Sequence, residues 1–396
     1  MAEPARPPRP RVVMYDTFSG TNDYAVELVR ALGPLVELTV VTVDDTRLQA
    51  ADCHTLLAVV PAFAKPQPRW RKALQMAGAY LALVRACLRQ PRQTVLHVQL
   101  LRFERLEVAL FGALQRLGVR LVATAHNALP HDPRPDHAAL YARWYRQVDV
   151  LHVLSDSVLA TIREELGVQP RRAVRIGHGP YTGMLRRHGG QDAAVVRQRL
   201  GIGPDRFVIL QFGLFKRYKG AHRLAAALAA LPPAVRPLVV LAGGGPLDYA
   251  AEVRAGFDAA GRSDCLLWLQ RYVADDELCG LLLAADLVVF PYVKVSQSGA
   301  LLLAMTFGKP CLCAPLPGFL EALPDAPGLF VDPANTVAFA QCLQAHAESA
   351  ELLAHNRAAV RRAAAAGADW AQIAAATARL YDDVLRAPPG GGLTRP

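Results

Sequence analysis

The segment QFGLFKRYKGAHRL (residues 211–224) places three cationic side chains between two glycines. The cations are Lys216, Arg217 and Lys219. An apolar run typical of a strand ends at Gly213, and Gly220 precedes a pattern typical of a helix. A diphosphate needs this combination of clustered positive charge and a helix N-terminus. A solvated charged loop is the alternative interpretation, and the Walker A pattern G-x-x-x-x-G-K-S/T is absent.

Polar side chains follow another strand-like run, in TAHNALPHD at residues 124–132. They are His126, Asn127, His131 and Asp132. Side chains at the carboxyl end of a parallel strand lie at the ligand-binding edge of the sheet. A lone histidine is usually structural, but two histidines together with Asn and Asp favour a functional role. The sequence therefore predicts a functional site at this turn.

Two further turns have the composition of ligand-binding turns. In DTFSGTNDYAVELV (residues 16–29), Gly20 permits a close approach, although helix capping explains most of the pattern. In SQSGALLLAMTFGKP (residues 296–310), a Ser/Gly turn precedes an apolar helix that Gly308 and Pro310 end. Such a turn directs backbone N–H groups and the positive helix end at an anion, yet it contains no carboxylate.

Short β-branched runs alternate with helical patterns along the whole chain. This alternation predicts an α/β protein with two facing Rossmann-like, doubly wound parallel sheets and a ligand-binding cleft. The predicted helices include residues 23–32, 106–117 and 221–231. The predicted strands are residues 11–15, 38–43, 55–60, 94–100, 120–126, 150–155, 173–177, 207–213, 237–243, 265–269, 287–292, 310–315 and 328–331.

A Gly-rich, basic segment without strand patterns, residues 181–206, marks the predicted domain boundary. We assign residues 1–185 to an N-terminal, acceptor-side domain and residues 186–386 to a C-terminal, nucleotide-binding domain. The last helix of the second domain is a candidate to pack back on the first. Residues 387–396 have the composition of a disordered tail.

The net charge of +10 is concentrated in the first half of the chain. No Asp or Glu occurs from Cys53 to Phe103, and residues 65–92 contain seven Lys/Arg around an apolar helical pattern. A core helix with solvated basic ends and a helix bound to an anionic membrane face are both compatible with this pattern. Nucleic acid is a weaker prediction, because no aromatic-and-basic stacking motif accompanies the charge.

The remaining features indicate a soluble, cytoplasmic protein, peripheral at most to the inner membrane face. The N-terminus has no apolar core of a signal peptide, and no apolar run reaches the roughly 20 residues of a membrane span. The seven cysteines form no C-x-x-C pair. Cys311 and Cys313 share a strand face, but without nearby ligands we interpret them as buried thiols and predict no metal site.

Taken together, these motifs resemble the glycosyltransferases of the two-Rossmann (GT-B) architecture, similar to family 4 and to the bacterial xanthan-pathway β-mannosyltransferases. The matching segments span nearly the whole chain. They are LHVQL (96–100), TAHNALPHD (124–132), IGHGPY (176–181), FGLFKRYKG (212–220), LVVFPY through SQSGALLLAMTFGKP (287–310) and DWAQIAAATARLYDDVL (369–385).

The resemblance implies a nucleotide-sugar donor, a glycan or polyprenol-linked acceptor, and no cofactor or essential metal. The expected catalytic residues are His126, facing the donor sugar, and Asp132, as general base, with His131, Asp16 and Asp23 as alternatives for the base. The expected donor contacts are Gly213, Lys216, Arg217, Lys219, Tyr272, Val273, Ser296, Gln297, Ser298 and Gly299.

The chain departs from the family-4 pattern at three positions. The pattern has an arginine where this chain has Leu214, so Lys216 or Arg217 must substitute. It has two glutamates where this chain has Val295 and Leu303. The stereochemistry of family 4 is therefore not carried over, and we favour inversion.

Two other function classes remain open. A sugar-nucleotide epimerase of the same architecture would need no acceptor, and a nucleotide-sugar-binding subunit would not turn over its ligand. Transfer that occurs only with an acceptor present separates the three classes.

Overall fold

The computed structural model describes residues 9–17, 23–62, 67–130 and 132–388. The chain divides into two compact units, Met1–Gly179 with Ala368–Pro396, and Pro180–Gly367. The division lies a few residues before the boundary after 185 that the sequence indicated, and the last helix groups with the first unit. The tail segment 387–396 lies almost entirely outside the described residues.

The strands of the described residues pair only in parallel, in one sheet per unit. They are β1 (Arg11–Asp16), β2 (Glu37–Val43), β3 (Thr55–Val60), β4 (Thr94–Val98), β5 (Arg120–Ala125), β6 (Val150–Val153), β7 (Ala173–Arg175), β8 (Val208–Phe212), β9 (Leu238–Ala242), β10 (Leu266–Leu269), β11 (Leu287–Phe290) and β12 (Cys311–Cys313). The first sheet has the order β3-β2-β1-β4-β5-β6-β7, and the second has the order β10-β9-β8-β11-β12.

The α-helices connect successive strands and continue after β12. They are α1 (Asp23–Leu32), α2 (Arg69–Leu88), α3 (Glu104–Arg116), α4 (His137–Gln147), α5 (Asp156–Glu164), α6 (Thr182–His188), α7 (Ala193–Arg199), α8 (Ala221–Ala229), α9 (Leu247–Ala259), α10 (Asp275–Ala284), α11 (Gly299–Thr306), α12 (Pro317–Ala322), α13 (Thr336–Glu348), α14 (Ala350–Ala366) and α15 (Trp370–Arg386).

Helices cover both faces of each sheet, which explains the near-continuous apolar strands. Val12, Val13, Met14 and Tyr15 of β1 are all fully buried, since alternate side chains enter two separate apolar clusters. The second sheet has the same arrangement of two clusters. The predicted pair of Rossmann-like parallel sheets is therefore confirmed.

One predicted strand is wrong. Residues 328–331 pair only through a single bridge between Phe330 and Cys313, and a short 3-10 turn occupies Pro327–Leu329. Pro327 begins that turn, and its fixed φ angle and missing N–H suit a turn better than a ladder. Each of the other predicted strands corresponds to an observed strand.

The segment at the predicted domain boundary, residues 181–206, contains the short helices α6 and α7. Both pack on α10, and Met184, Val196 and Ile202 are buried. The segment is therefore part of the second unit and contributes to its packing. Among the described residues, no helix combines the length and apolar character needed to cross a membrane.

Helix α15 completes the core of the first unit. Its N-terminus is closed by a capping box, in which Asp369 accepts from the Gln372 N–H at 2.8 Å and the Gln372 side chain accepts from the Asp369 N–H at 3.0 Å. Buried residues recur every three or four positions and pack mainly against α1. They are Trp370, Ile373, Ala374, Thr377, Leu380, Tyr381 and Val384.

The packing of α15 leads to a stability prediction. Ile373 is 1% exposed, so Ile373→Ala removes buried methyl groups and leaves a cavity, and we expect a loss of about 2–5 kcal/mol in unfolding free energy. Arg379→Ala on the exposed face of the same helix serves as the control and should change the unfolding free energy by less than about 0.5 kcal/mol. Guanidinium unfolding curves measure both. Equal effects would contradict this account of α15.

Candidate active site

The second sheet changes direction at its central strand. From β8 the chain proceeds to β9 on one side, and it later returns to place β11 on the other side. In open α/β sheets the crevice at the carboxyl ends of two such strands is where ligands bind. The cationic segment follows β8, and Tyr292 follows β11, so both lie at this point of the sheet.

Lys219 lies at this switch point and is 9% exposed. Its Nζ lies 5.5 Å from the centre of the Tyr292 ring. It also lies so close to Gly213 that a Cβ at that glycine would be 2.7 Å from Nζ. The backbone is held by Gln211 of β8, whose Nε2 donates to the Lys219 carbonyl at 2.7 Å. The ammonium therefore has a defined position at the end of β8.

No ion pair compensates the charge of Lys219 among the described residues. Burial, together with the nearby charge of Lys216, lowers the pKa of Lys219 to about 8. Both effects destabilise the charged form in the free protein. An anion placed against this ammonium would reverse them, so the site is poised to bind negative charge.

Gly220 shapes the turn that holds Lys219. Its φ angle of 71° is left-handed, and it separates the 3-10 turn Arg217–Lys219 from the first residue of α8. A Cβ at this position would lie 1.9 Å from the carbonyl oxygen of Pro291. Glycine is required here for both reasons, since L residues disfavour this angle and no side chain fits.

The structure separates the other two cations of the segment. Arg217 is exposed and forms an ion pair with Glu252 of α9. Lys216 is half-buried and close enough to Lys219 to influence its pKa. Of the two residues that the sequence offered as substitutes for the arginine at Leu214, Lys216 is therefore beside the buried ammonium. Leu214 itself is 56% exposed.

Ser298 caps helix α11 beside Tyr292, the residue that the Lys219 ammonium approaches. Its Oγ accepts from the N–H of Leu301 at 3.1 Å, and its side chain hydrogen-bonds with the Tyr292 hydroxyl. Gly299 begins the helix, and a Cβ there would lie 2.7 Å from the hydroxyl oxygen of Tyr181. Tyr292 thus contacts both the ammonium of Lys219 and the cap of α11.

The remaining predicted donor contacts lie on the loops around these residues. Ser296 and Gln297 are half-buried and pass directly over Gly318, where a Cβ would lie 2.5 Å from the Ser296 carbonyl oxygen. Tyr272 follows β10 and is 76% exposed, whereas Val273 is half-buried. The structure therefore brings Gly213, Lys219 and Ser298 together around Tyr292 but shows no such contact for Tyr272.

Apolar packing accounts for the two positions where the family-4 pattern has glutamates. Leu303 is 5% exposed within the apolar cluster of the second unit, and Val295 packs against the same cluster. A carboxylate at 303 would be buried among these apolar groups, which is costly without a partner. The substitution thus converts a polar position into a core position.

In the first unit, His126 follows β5 within a group of rings. Its ring centre lies 5.1 Å from that of Tyr24, which in turn lies 4.8 Å from His178 and 5.5 Å from Trp370. Burial lowers the pKa of His126 to about 3 and that of His178 to about 4. These imidazoles are uncharged at neutral pH.

A chain of buried hydrogen bonds crosses β4, β5 and β6 beneath His126. The Tyr381 hydroxyl lies 2.6 Å from Nδ1 of His97, whose Nε2 lies 2.8 Å from Oγ1 of Thr124. The same Oγ1 lies 3.1 Å from Nδ1 of His152, and Nε2 of His152 lies 2.9 Å from the carbonyl oxygen of Ile176. Burial lowers the pKa of both histidines, of His152 to about 4.

The other candidates of the first unit have separate positions. Asp16 is 1% exposed at the end of β1, whereas Asp132 is exposed on the loop after β5. Asn127 is half-exposed, and its backbone carbonyl accepts from the Tyr145 hydroxyl at 3.2 Å. Gly20 and His131 lie outside the described residues.

Sequence reasoning missed several residues that contact these candidates directly or through one intervening side chain or a chain of hydrogen bonds. They are Tyr181, Gln211 and Tyr292 in the second unit, and Tyr24, His97, Gln99, Thr124, His152, His178, Trp370 and Tyr381 in the first. The repeated pattern LHV, at residues 96–98 and 151–153, was the available signal. It places one histidine inside each of two strands, where a buried imidazole needs partners.

Comparison with known families decides what this arrangement belongs to. Residues 18–180 match the model described as Glycosyltransferase Family 4, and residues 206–349 match the model described as Glycosyl transferases group 1. The two matches follow one another and together cover most of the chain. The chain belongs to the GT-B glycosyltransferases.

Relatives and solved structures agree with this glycosyltransferase architecture. The chain is 28% identical over 200 residues to a GDP-mannose:glycolipid 4-beta-D-mannosyltransferase of Xanthomonas campestris pv. campestris, a match that covers 50% of this chain and 51% of the relative. The chain thus spans about half the length of the curated relatives that it matches.

Solved structures share the fold at low sequence identity. The Anabaena protein Alr3699/HepE, solved in complex with UDP, is 18% identical with a TM-score of 0.70, over 94% of this chain and 100% of that one. Sucrose-phosphate synthase from Thermosynechococcus elongatus is 18% identical with a TM-score of 0.69, over 95% of this chain and 99% of that one.

The turn around Gly220 in this glycosyltransferase offers a matched test. Gly220 and Gly201 have similar φ angles, 71° and 67°, but nothing lies within 4 Å of a Cβ at Gly201. Gly201→Ala should therefore cost only the backbone strain, about 1–2 kcal/mol. Gly220→Ala adds the clash with Pro291 and should lower the unfolding free energy clearly more. Equal losses in guanidinium unfolding would show that the Pro291 contact does not constrain the turn.

Proposed function

We propose that the protein transfers a hexose-type sugar from a nucleoside-diphosphate sugar to a glycan or lipid-linked acceptor in glycoconjugate synthesis. The donor is a substrate, and no cofactor or metal takes part. The matched relative acts on GDP-mannose and a glycolipid, as its name states. This supports GDP-mannose as the first donor to test.

The observation that carries the proposal is the buried ammonium of Lys219 at the switch point of the second sheet, which forms no ion pair within the part of the chain that the structure describes. We propose that it binds the donor diphosphate, with Lys216 beside it and the N-terminus of α11 as a further source of positive potential. These groups stabilise the negative charge that develops on the departing nucleoside diphosphate. They would thereby replace the divalent cation that other transferases use.

We assign His126 to the donor sugar and keep Asp132 as the candidate base. The low pKa of His126, which burial causes, makes it a neutral contact and not a proton donor of ordinary acidity. Asp132 is exposed on the same loop and is able to reach solvent and acceptor. A carboxylate there would take the proton of the attacking hydroxyl.

A single assay separates this proposal from its two alternatives. The protein is incubated with GDP-mannose and excess EDTA, with and without a lipid-linked glycan acceptor. Glycosylated acceptor and released GDP, both dependent on the acceptor, support transfer. A changed sugar nucleotide without acceptor indicates an epimerase, and binding without turnover indicates a binding subunit. Turnover that requires added Mg²⁺ or Mn²⁺ would contradict the metal-free proposal.

The assignment of Lys219 predicts a specific loss of donor affinity. Lys219→Ala should weaken GDP-mannose binding by about ten- to hundredfold, because a charge-assisted contact is worth about 1.5–3 kcal/mol. Arg217→Ala is the matched control from the same turn and should leave the affinity almost unchanged, since Arg217 pairs with Glu252. Calorimetric titration measures both. The reverse order of effects would contradict the assignment.

The same titration at several pH values tests the charge directly. The free Lys219 has a lowered pKa of about 8, and only its charged form attracts a diphosphate. The affinity should therefore be constant below this pKa and fall above it, by up to about tenfold per pH unit. Lys219→Arg, which stays charged, should remove the fall. A wild-type affinity that is independent of pH in this range would exclude the role.

We also propose that α2 binds an anionic membrane surface, which would bring the enzyme to a lipid-linked acceptor. Its exposed large apolar residues recur at intervals of four and seven and so share one face. They are Trp70, Leu74, Leu81 and Leu88, 61%, 66%, 51% and 38% exposed. The core-facing residues Met76, Ala79, Leu83 and Cys87 occupy the opposite face.

The basic residues of α2 also favour membrane binding by its exposed apolar face. Arg71, Arg85 and Arg89 are exposed beside the apolar face, and no acidic residue occurs between positions 53 and 103. Exposed apolar side chains flanked by arginine are typical of helices that lie in the interface of an anionic bilayer. A helix held only by the core would need no apolar residues on its outer face.

The membrane proposal predicts salt-dependent binding to vesicles. The protein should sediment with vesicles that contain anionic lipid at low salt and less at high salt, because each surface arginine is worth about 1 kcal/mol. Trp70→Ser with Leu74→Ser should release it, whereas Leu247→Ser, an exposed leucine of the other unit, should not. Arg71→Gln should weaken binding more than Arg199→Gln. If the protein does not sediment with anionic vesicles at low salt, the membrane proposal is contradicted.

A further inference from the structure

The chain of buried hydrogen bonds beneath His126 includes a backbone carbonyl group, whose role in a hydrogen bond is known in advance. The carbonyl oxygen of Ile176 can only accept a hydrogen bond, so Nε2 of His152 must donate to it across 2.9 Å. A neutral imidazole has one N–H, and burial keeps His152 neutral by lowering its pKa to about 4. Nδ1 of His152 is therefore an acceptor.

The direction of every following bond is then determined. Nδ1 of His152 accepts from the hydroxyl of Thr124 at 3.1 Å. The single proton of that hydroxyl is already donated to His152. Its oxygen must therefore accept a hydrogen bond from Nε2–H of His97 at 2.8 Å. His97 is left with an unprotonated Nδ1, which accepts from the Tyr381 hydroxyl at 2.6 Å. Each hydrogen bond between Tyr381 and Ile176 is therefore donated in the direction of Ile176.

Gln99 transmits this direction to His126. In the structure its amide Nε2 lies 3.3 Å from Nε2 of His97, and its Oε1 lies 3.2 Å from Nε2 of His126. Since Nε2 of His97 carries a proton, an NH₂ group beside it would place two donors against each other, so we infer that the carboxamide is rotated by 180° and that its oxygen faces His97. Oxygen and nitrogen of a carboxamide are interchangeable by rotation and are assigned from the hydrogen-bond network. The NH₂ group therefore faces Nε2 of His126.

We propose that this chain of hydrogen bonds fixes His126 as the Nδ1–H tautomer. In this form His126 is a neutral hydrogen-bond donor, and its Nε2 accepts a hydrogen bond from Gln99. Gln99, His97 and Thr124 are then positioning residues for His126, because they act on it without touching the substrate. As far as the sugar is concerned the inference rests on the proposed function, whereas the tautomer does not. His126 in this form donates to a sugar hydroxyl and accepts no proton, so the base is another group.

The surroundings of the chain support a single arrangement. His97, Gln99, His152 and Tyr381 are 1% exposed or less, so water cannot exchange roles with these side chains. A reversed donor at any point would place two protons or two lone pairs against each other inside the protein. Such a mismatch costs about as much as an unsatisfied buried group, roughly 1–3 kcal/mol.

Nitrogen NMR of the wild-type protein with ¹⁵N-labelled histidine tests the proposal, because the two nitrogens of a neutral imidazole differ strongly in shift when one is protonated. We expect Nε2–H for His97 and His152 and Nδ1–H for His126, with signals assigned from single histidine replacements. Nε2–H for His126, or a mixture of both tautomers, would overturn the proposal. This measurement needs no substrate.

Gln99→Glu reverses the predicted signal. A carboxylate only accepts, so at about pH 8, where the imidazole stays neutral, His126 should change to the Nε2–H tautomer. Gln93→Glu, the same change at an exposed position before β4, should leave the three histidines unaltered. An unchanged His126 signal in folded Gln99→Glu protein would overturn the proposal, and if that variant does not fold, the wild-type spectrum decides.

A kinetic measurement connects the tautomer to the reaction. Gln99→Glu should lower kcat/KM for GDP-mannose about two- to tenfold, the effect of one lost neutral hydrogen bond, while the affinity for GDP alone stays constant. An equal loss of GDP affinity would overturn the positioning role. If the predicted tautomers are found but no transfer occurs, the proposed function fails and the tautomer assignment stands.

Discussion

The structure of the second unit depends on one unfavourable placement, a lysine ammonium held almost out of water with no ion-pair partner among the described residues. Gly213 makes room for the ammonium, Gln211 holds the backbone of Lys219, and the left-handed Gly220 turns the chain into α8. Burying an unpaired charge costs free energy, and the lowered pKa expresses that cost. A bound anion would relieve this cost, and this supports the proposal that a diphosphate binds at the switch point of the sheet.

The hydrogen-bonded chain beneath His126 in the first unit contrasts with the buried charge of Lys219. His97 and His152 are neutral because burial lowers their pKa, and each contact in the hydrogen-bonded chain from Tyr381 to Ile176 joins a donor to an acceptor. The result is a set of buried neutral dipoles whose hydrogen bonds satisfy one another. Helix α15, the last helix of the described residues, contributes Tyr381 to this hydrogen-bonded chain and Trp370 to the group of rings around Tyr24.

Much of the fold was predictable because its physics is local. Parallel strands covered on both faces must be apolar throughout, so runs such as RVVMY and LVVFPY are visible without any knowledge of their neighbours. The failure at residues 328–331 has the same origin, since GLFV has the composition of a strand but lacks a neighbour along most of its length. The packing of α15 against α1 depends on residues more than three hundred positions apart, and composition alone could not establish it.

By itself, the sequence determined the two parallel sheets, the cationic turn after β8 and the histidine turn after β5. These follow from composition and spacing over a few residues. Only the tertiary structure decided which cation is buried, because Arg217 turns to Glu252 while Lys219 turns to Tyr292. It also decided that Leu303 is a core residue and that His126 belongs to a hydrogen-bonded chain ending on Ile176. The physical reason is that burial and hydrogen-bond direction arise from groups that meet only when distant strands and helices pack together.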